Sequence, residues 1–244
     1  MKCVIIHGSP RRGNTWTVLN MVMDELKDIP NIEFDIIELM KIKLDTCIGC
    51  FNCIIKGEDR CPHNNDMQNL RDRIESAEVI IMTSPVYSMQ VSGLLKNFID
   101  HMSFKFHRPG CYKKKGLVIA TTAGAGHKNA TKYMKEVLGF WGINKVNSIA
   151  VAYRSKELTE KNIDYIKKEA RKFKSELIKG DIPKSGFKQV LMYNAWRGMS
   201  SNDKSMEADY NYYKNNGAAY YRDANVNKIK IIIGNLVYKV IKRG

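Results

Sequence analysis

The chain has 244 residues, 44% of them hydrophobic and 27% charged, proportions that suit a folded domain and exclude a disordered or fibrous chain. Lys and Arg number 40 against 25 Asp and Glu, and the resulting charge of +15 favours anionic partners, although the even spread of lysines from Lys41 to Lys242 reads first as a solvated surface. No apolar run approaches the roughly 20 residues of a membrane-spanning helix, so no integral membrane segment is expected.

The apolar stretch at the N-terminus is too short for a signal peptide, and a cytoplasmic address is expected. Lys2 to His7 predicts a buried strand in which Cys3 is a small hydrophobe. Leu19, Val22, Met23 and Leu26 recur at helical spacing, and Ile32 to Leu39 predicts a second strand. Past a cysteine-rich segment, Asp66 is placed to cap a helix that turns Met67, Leu70 and Ile74 inward. Glu78 to Ser84 reads as a third strand, and Val91 to Met102 as a helix with Leu94, Leu95, Phe98 and Met102 inward. Gly116 to Thr121 is a fourth, almost purely apolar strand. A Gly-Ala-Gly loop, a helix carrying Met134, Val137 and Leu138, a fifth strand from Lys145 to Ala152 and a charged helix from Leu158 to about Ile178 follow.

This alternation predicts a three-layer α/β domain over residues 1–180, with a five-stranded parallel sheet in the order 2-1-3-4-5 and a cysteine-rich insertion at 47–61. Residues 181–244 abandon the rhythm. Within them Ile229, Ile232, Ile233, Leu236, Val237 and Val240 share one face of an amphipathic helix, which predicts a packing or oligomerisation arm and a homo-oligomer. Such a basic helix also suits an anionic membrane surface. Trp196, Tyr210, Tyr212, Tyr213, Tyr220 and Tyr221 stand among basic residues, but no recognised motif accompanies them and no nucleic acid is expected.

The loop Gly8-Ser9-Pro10-Arg11-Arg12-Gly13-Asn14-Thr15 lies between the first strand and the first helix, where free backbone N–H groups and the positive helix end hold anions. Gly8 and Gly13 let the backbone curl close to a phosphate, Ser9, Asn14 and Thr15 add donors, and Arg11 adds charge. The loop lacks both the Lys-Ser/Thr ending of an ATP-type P-loop and the three-glycine dinucleotide fingerprint. A plain Gly/Pro turn is the competing reading.

With Ser84-Pro85-Val86-Tyr87-Ser88 after the third strand and Thr121-Thr122-Ala123-Gly124-Ala125-Gly126 after the fourth, the chain resembles the NADPH-dependent FMN reductase family of flavodoxin-like proteins over residues 1 to 180. The resemblance implies FMN as cofactor. It assigns the phosphate to Ser9, Arg11, Gly13, Asn14 and Thr15, and the ring to Pro85, Val86, Tyr87, Ser88, Thr121, Thr122, Ala123 and Gly124.

Cys47, Cys50 and Cys53 are spaced by three, and Cys61-Pro62 follows. Thiolates at that interval wrap a chain around one iron-sulfur cluster. Zinc and cluster-free redox thiols also take such residues. His63 reads as a surface histidine in a polar loop. The segment resembles the compact motif of the iron-sulfur flavoproteins, a branch of the same family, which implies a 4Fe-4S cluster beside FMN.

The expected protein is an FMN-dependent oxidoreductase that exchanges electrons with a small-molecule or protein donor and acceptor, with no side chain needed as acid or base. The alternatives are a cluster-free NAD(P)H-dependent reductase of FMN, quinones or nitro compounds, and a non-catalytic metal- or flavin-binding regulatory module.

Overall fold

In the computed structural model, which describes residues 1–153, 157–203 and 205–243, the chain alternates strands and helices as far as Ile178. It runs β1 (Lys2–His7), α1 (Asn14–Leu26), β2 (Glu33–Glu38), α2 (Asn52–Ile55), α3 (Asn64–Ser76), β3 (Val79–Tyr87), β4 (Gln90–Val91), α4 (Gly93–His101) and α5 (Phe104–His107). Then come β5 (Lys115–Thr122), α6 (His127–Phe140), β6 (Val146–Ala152) and α7 (Glu160–Ile178). The helices α8 (Phe187–Asn202), α9 (Glu207–Asn216) and α10 (Lys228–Arg243) complete the chain. Positions 154–156, inside the expected 1–180 segment, and 204 and 244, inside the expected extension, lie outside the described residues.

The long strands are parallel, in the spatial order β2-β1-β3-β5-β6, and β4 returns antiparallel along the end of β3. With that short hairpin strand set aside, the order is the expected 2-1-3-4-5. Residues of β1, β3 and β5 are buried on both faces, as parallel strands between two helical layers must be. The pleat divides them: Val4, Ile6, Ile80, Met82, Val118 and Ala120 enter the core shared with α3, α4 and α6, and Cys3, Ile5, Val79, Ile81, Leu117 and Ile119 enter the core shared with α1 and α7. Each buried Val, Leu, Ile or Met among them contributes about 1.5–3 kcal/mol relative to exposure.

Several boundaries differ from expectation for identifiable reasons. α3 starts at Asn64 and not at Asp66, which falls within its first turn, so Asp66 is no cap. β3 continues through Tyr87 because Val86 and Tyr87 pair with Val91 and Gln90. Val91 therefore belongs to a strand, and α4 begins after Ser92, whose hydroxyl accepts the Leu95 N–H at 3.2 Å.

Past α7, Val190, Tyr193, Tyr213 and Tyr220 form a small core of their own. The tyrosines of this segment are thus largely packing groups and not an open stacking surface. The apolar stripe of α10 is open on its outer side. Ile229, Ile232, Leu236 and Val240 are exposed, and the helix packs on α8 through Gly234, where an added Cβ would lie 2.5 Å from Asn194 Nδ2. Close backbone approach at a glycine outweighs the wider apolar stripe.

Candidate functional site

The strand register sets His7 opposite Thr83, and Pro85 opposite Thr121, so the loops after β1, β3 and β5 emerge side by side. At the first loop, Gly8 donates its N–H to Thr83 O at 2.9 Å, and a Cβ there would lie 2.7 Å from Leu95 Cβ. Only glycine fits. Ser9 is buried, and its hydroxyl donates to Arg11 O at 2.7 Å, bending the loop back on itself. Gly13 occupies the N-cap of α1 without a side-chain cap, and the first turn holds no acid, so the opening N–H groups keep their capacity for an anion.

The two arginines of the loop diverge. Arg12 pairs with Glu38 and lies 4.2 Å from the centre of the Trp16 ring. Arg11 is exposed, and its guanidinium has no partner among the described residues. Asn14 donates to Tyr153 O at 3.5 Å, and Thr15, buried, shares a 2.7 Å hydroxyl hydrogen bond with Thr121. That bond joins the first loop to the third.

The second loop is a tight hairpin in which Ser88 and Met89 have φ of 47 and 68 degrees. Such values match the type I′ hairpin turn, although glycine or asparagine is usual there. Pro85 and Val86 are half-buried, and Tyr87 is 45% exposed. In the third loop Thr122 donates to Ala125 O at 2.9 Å and accepts the Gly124 N–H at 3.1 Å, leaving Ala123 and Gly124 exposed. Gly126, at φ +90, packs so closely that a Cβ would lie 2.8 Å from Met89 Cα. All three loops meet.

His7 was missed in the sequence. Burial holds its pKa below the usual histidine value, Nδ1 is 2.8 Å from Thr83 Oγ1, and Nε2 has no hydrogen-bond partner.

Cys47, Cys50, Cys53 and Cys61 line one cavity of about 290 Å³ together with His63 and His101. Gly49 and Phe51 adopt φ of 64 and 59 degrees, the left-handed bends that fold the segment over. Burial raises the Cys53 thiol pKa; the Ser103 hydroxyl, 3.8 Å away, opposes this, the nearby thiols of Cys61 and Cys47 add to it, and Arg108 opposes it. Among the described residues no three His, Cys, Asp or Glu side chains converge as the ligands of a single metal ion do. The thiols ring the cavity without closing on one point. His63, expected at the surface, is instead half-buried, its ring 5.2 Å from that of His101 at 87 degrees.

One helix connects the two places. Ser92, the N-cap of α4, donates its hydroxyl to Gly8 O. Five residues on, Asn97 accepts the Cys47 N–H at 2.9 Å and donates to Leu44 O and Asp45 O. His101 Nε2 lies 2.9 Å from Asp45 O, and its Nδ1 lies 4.0 Å from Cys61 Sγ. From Ser92 to His101 the axis covers about 14 Å. Asn97 and His101 stand at i, i+4 on α4, beside the ion pair of Lys96 and Asp100, and that spacing is the signal the sequence offers.

The model of the NADPH-dependent FMN reductase family matches residues 1–158. An Archaeoglobus fulgidus protein named iron-sulfur flavoprotein is 37% identical over 145 residues, 59% of this chain and 64% of that relative, so the chain spans less than two thirds of its length. A Clostridioides difficile protein of the same name is 29% identical over 178 residues, 71% of this chain and 78% of the relative. Among solved structures, a Bacillus anthracis FMN-dependent NADH-azoreductase in complex with FMN superposes with a TM-score of 0.57 at 16% identity, covering 72% of this chain and 99% of that one. At that identity the likeness concerns the fold.

Proposed function

Because the chain belongs to the NADPH-dependent FMN reductase family, we propose that it is a flavin-dependent oxidoreductase of the iron-sulfur flavoprotein branch, with FMN held by the loops after β1, β3 and β5. Cys47, Cys50, Cys53 and Cys61 hold a 4Fe-4S cluster. FMN supplies one- and two-electron chemistry when bound, and the cluster supplies single-electron transfer.

The uncapped start of α1, with Ser9, Arg11, Gly13, Asn14 and Thr15, receives the flavin phosphate. The hairpin at Pro85 to Ser88 and the turn at Thr121 to Gly124 border the ring and keep water from it. NAD(P)H or a reduced carrier supplies electrons, and a small molecule or protein accepts them. The division into a core of residues 1–180 and an arm of 181–244 belongs to the same reading, as does a homo-oligomer, supported by the exposed apolar stripe of α10.

The observation that carries the proposal is α4, bonded to Gly8 through Ser92 at one end and to the cysteine segment through Asn97 and His101 at the other. The residues fit the group: four thiols face one cavity, and a cluster spaces its thiolates more widely than a single ion does.

Anaerobically purified protein is expected to carry one FMN and about four irons with equal acid-labile sulfide per chain. Colourless protein that takes up no FMN overturns the flavin reading. Flavin without iron or sulfide after anaerobic reconstitution supports the second reading, a cluster-free NAD(P)H-dependent reductase.

A further inference from the structure

A second cavity, of about 460 Å³, opens where the extension meets the core, between α6 and α8. Its size lies within the range of small-molecule sites. Lys128, Lys132 and Lys135 line it from α6, spaced i, i+4 and i+7 along one face over about 10 Å of helix axis. From α8, Lys188 holds its ammonium 4.7 Å from the centre of the Phe140 ring. None of these four lysines has an ion-pair partner among the described residues, and Glu136 is the one carboxylate in the lining. Like charges at i, i+4 repel, so an anion between them relieves a cost already present in the fold.

The rest of the wall is aromatic. Phe140 is stacked on Phe106 with ring centres 4.9 Å apart, and Trp196 is stacked on His107 at 3.7 Å. The Trp196 indole N–H is buried without a hydrogen-bond partner, although such a donor is normally satisfied. Convergent cations and flat apolar faces together describe a ligand that has both a ring and a negative charge. The α8 wall lies beyond residue 158, where the family match ends, so the cavity is built in part by residues outside that match.

We propose that the cavity between α6 and α8 binds a small aromatic anion, a planar ring bearing carboxylate or phosphate. The ring lies against the aromatic wall of Phe140 and Trp196, and the anion lies among Lys128, Lys132, Lys135 and Lys188. The site is separate from the flavin loops and does not depend on what those loops bind.

The test is isothermal titration calorimetry on the full-length protein saturated with FMN. Two charged aromatic probes, 2-naphthoate and adenosine 5′-monophosphate, are compared with their uncharged counterparts 2-naphthol and adenosine, and with inorganic phosphate. At least one charged aromatic is expected to bind one per chain, about tenfold or more tighter than its uncharged counterpart and than phosphate. Which of the two binds separates an aryl acid from a nucleotide. The Lys132→Glu and Lys188→Glu double variant is expected to weaken that binding by about tenfold or more with FMN content unchanged. Equal binding of charged and uncharged probes, binding undiminished in the double variant, or no saturable binding of either charged probe overturns the proposal.

Discussion

Arg108 and Asp209 form an ion pair closed to solvent, the guanidinium 6% and the carboxylate 1% exposed, that joins the loop after α5 to α9. Arg108 also donates to Cys53 O at 2.6 Å, to Ile54 O at 3.1 Å and to Glu58 at 3.0 Å. Asp209 in turn lies 2.8 Å from His107 Nδ1. The cysteine segment is therefore braced by the extension through one guanidinium.

Removing one partner of a buried pair costs up to about 3–5 kcal/mol when the other charge is left uncompensated, and less here because Glu58 still accepts from Arg108. Asp209→Asn keeps the shape and removes the charge, and its urea unfolding midpoint is expected to fall accordingly. In metal-free protein the same change is expected to speed alkylation of Cys53, followed by mass spectrometry, because the bonds to Cys53 O and Ile54 O lose their anchored donor. An unchanged midpoint and an unchanged alkylation rate would show that the brace is idle.

The two loop arginines separate by partner. Arg11→Ala is expected to weaken FMN binding by about 1.5–3 kcal/mol, the range for a charge-assisted hydrogen bond, without loss of stability, since that side chain makes no ion pair among the described residues. Arg12→Ala, which breaks a pair with Glu38, is expected to leave FMN affinity nearly unchanged. Fluorescence titration of flavin-free protein with FMN measures both, and equal losses would refute the division of roles.

What could be read in the sequence follows from where the signals are local. The phosphate loop stands between a strand and a helix, and its glycines and hydroxyls advertise a tight turn; Gly8 is indeed required by Leu95. Ser92, Asn97 and Arg108 escaped notice because their partners, Gly8, Cys47 and Asp209, are 84, 50 and 101 residues away. The spacing of polar residues along a helix does not show which distant group each one bonds. On α10 the sequence shows the apolar stripe but not the line of contact with α8. Periodicity reports a stripe, but Gly198 and Gly234 allow the backbones of α8 and α10 to approach along another line, where Cβ atoms would lie 2.9 Å from Ile241 and 2.5 Å from Asn194.

Gly126 and Gly124 sit two residues apart with opposite expectations. At Gly126 the left-handed φ costs a side chain about 1–2 kcal/mol, and the added Cβ would meet the hairpin backbone at Met89. Gly126→Ala is therefore expected to displace the 86–91 hairpin and lower FMN affinity. Gly124→Ala has nothing within 4 Å of its Cβ and is expected to leave the fold unchanged. Thermal unfolding with and without FMN distinguishes them, and an equal response of the two variants would contradict the packing described.

Glu38 offers a pH test of the loop's support. Hydrogen bonds from Arg12 and then Lys41 hold its carboxyl at about 2, against an ordinary value of 4.5. A carboxyl with a depressed folded-state pKa binds its proton more readily in the unfolded chain, so its contribution is complete above about 4.5 and disappears as pH falls toward 2. Glu38→Gln cannot titrate. The stability difference between the native protein and this variant is expected to be constant near neutrality and to shrink through that acidic window. Urea unfolding at several pH values measures it. A difference that persists unchanged to the bottom of the window would mean that Arg12 and Lys41 do not hold the carboxylate in solution, and that Arg12 is free to join Arg11 at the phosphate loop.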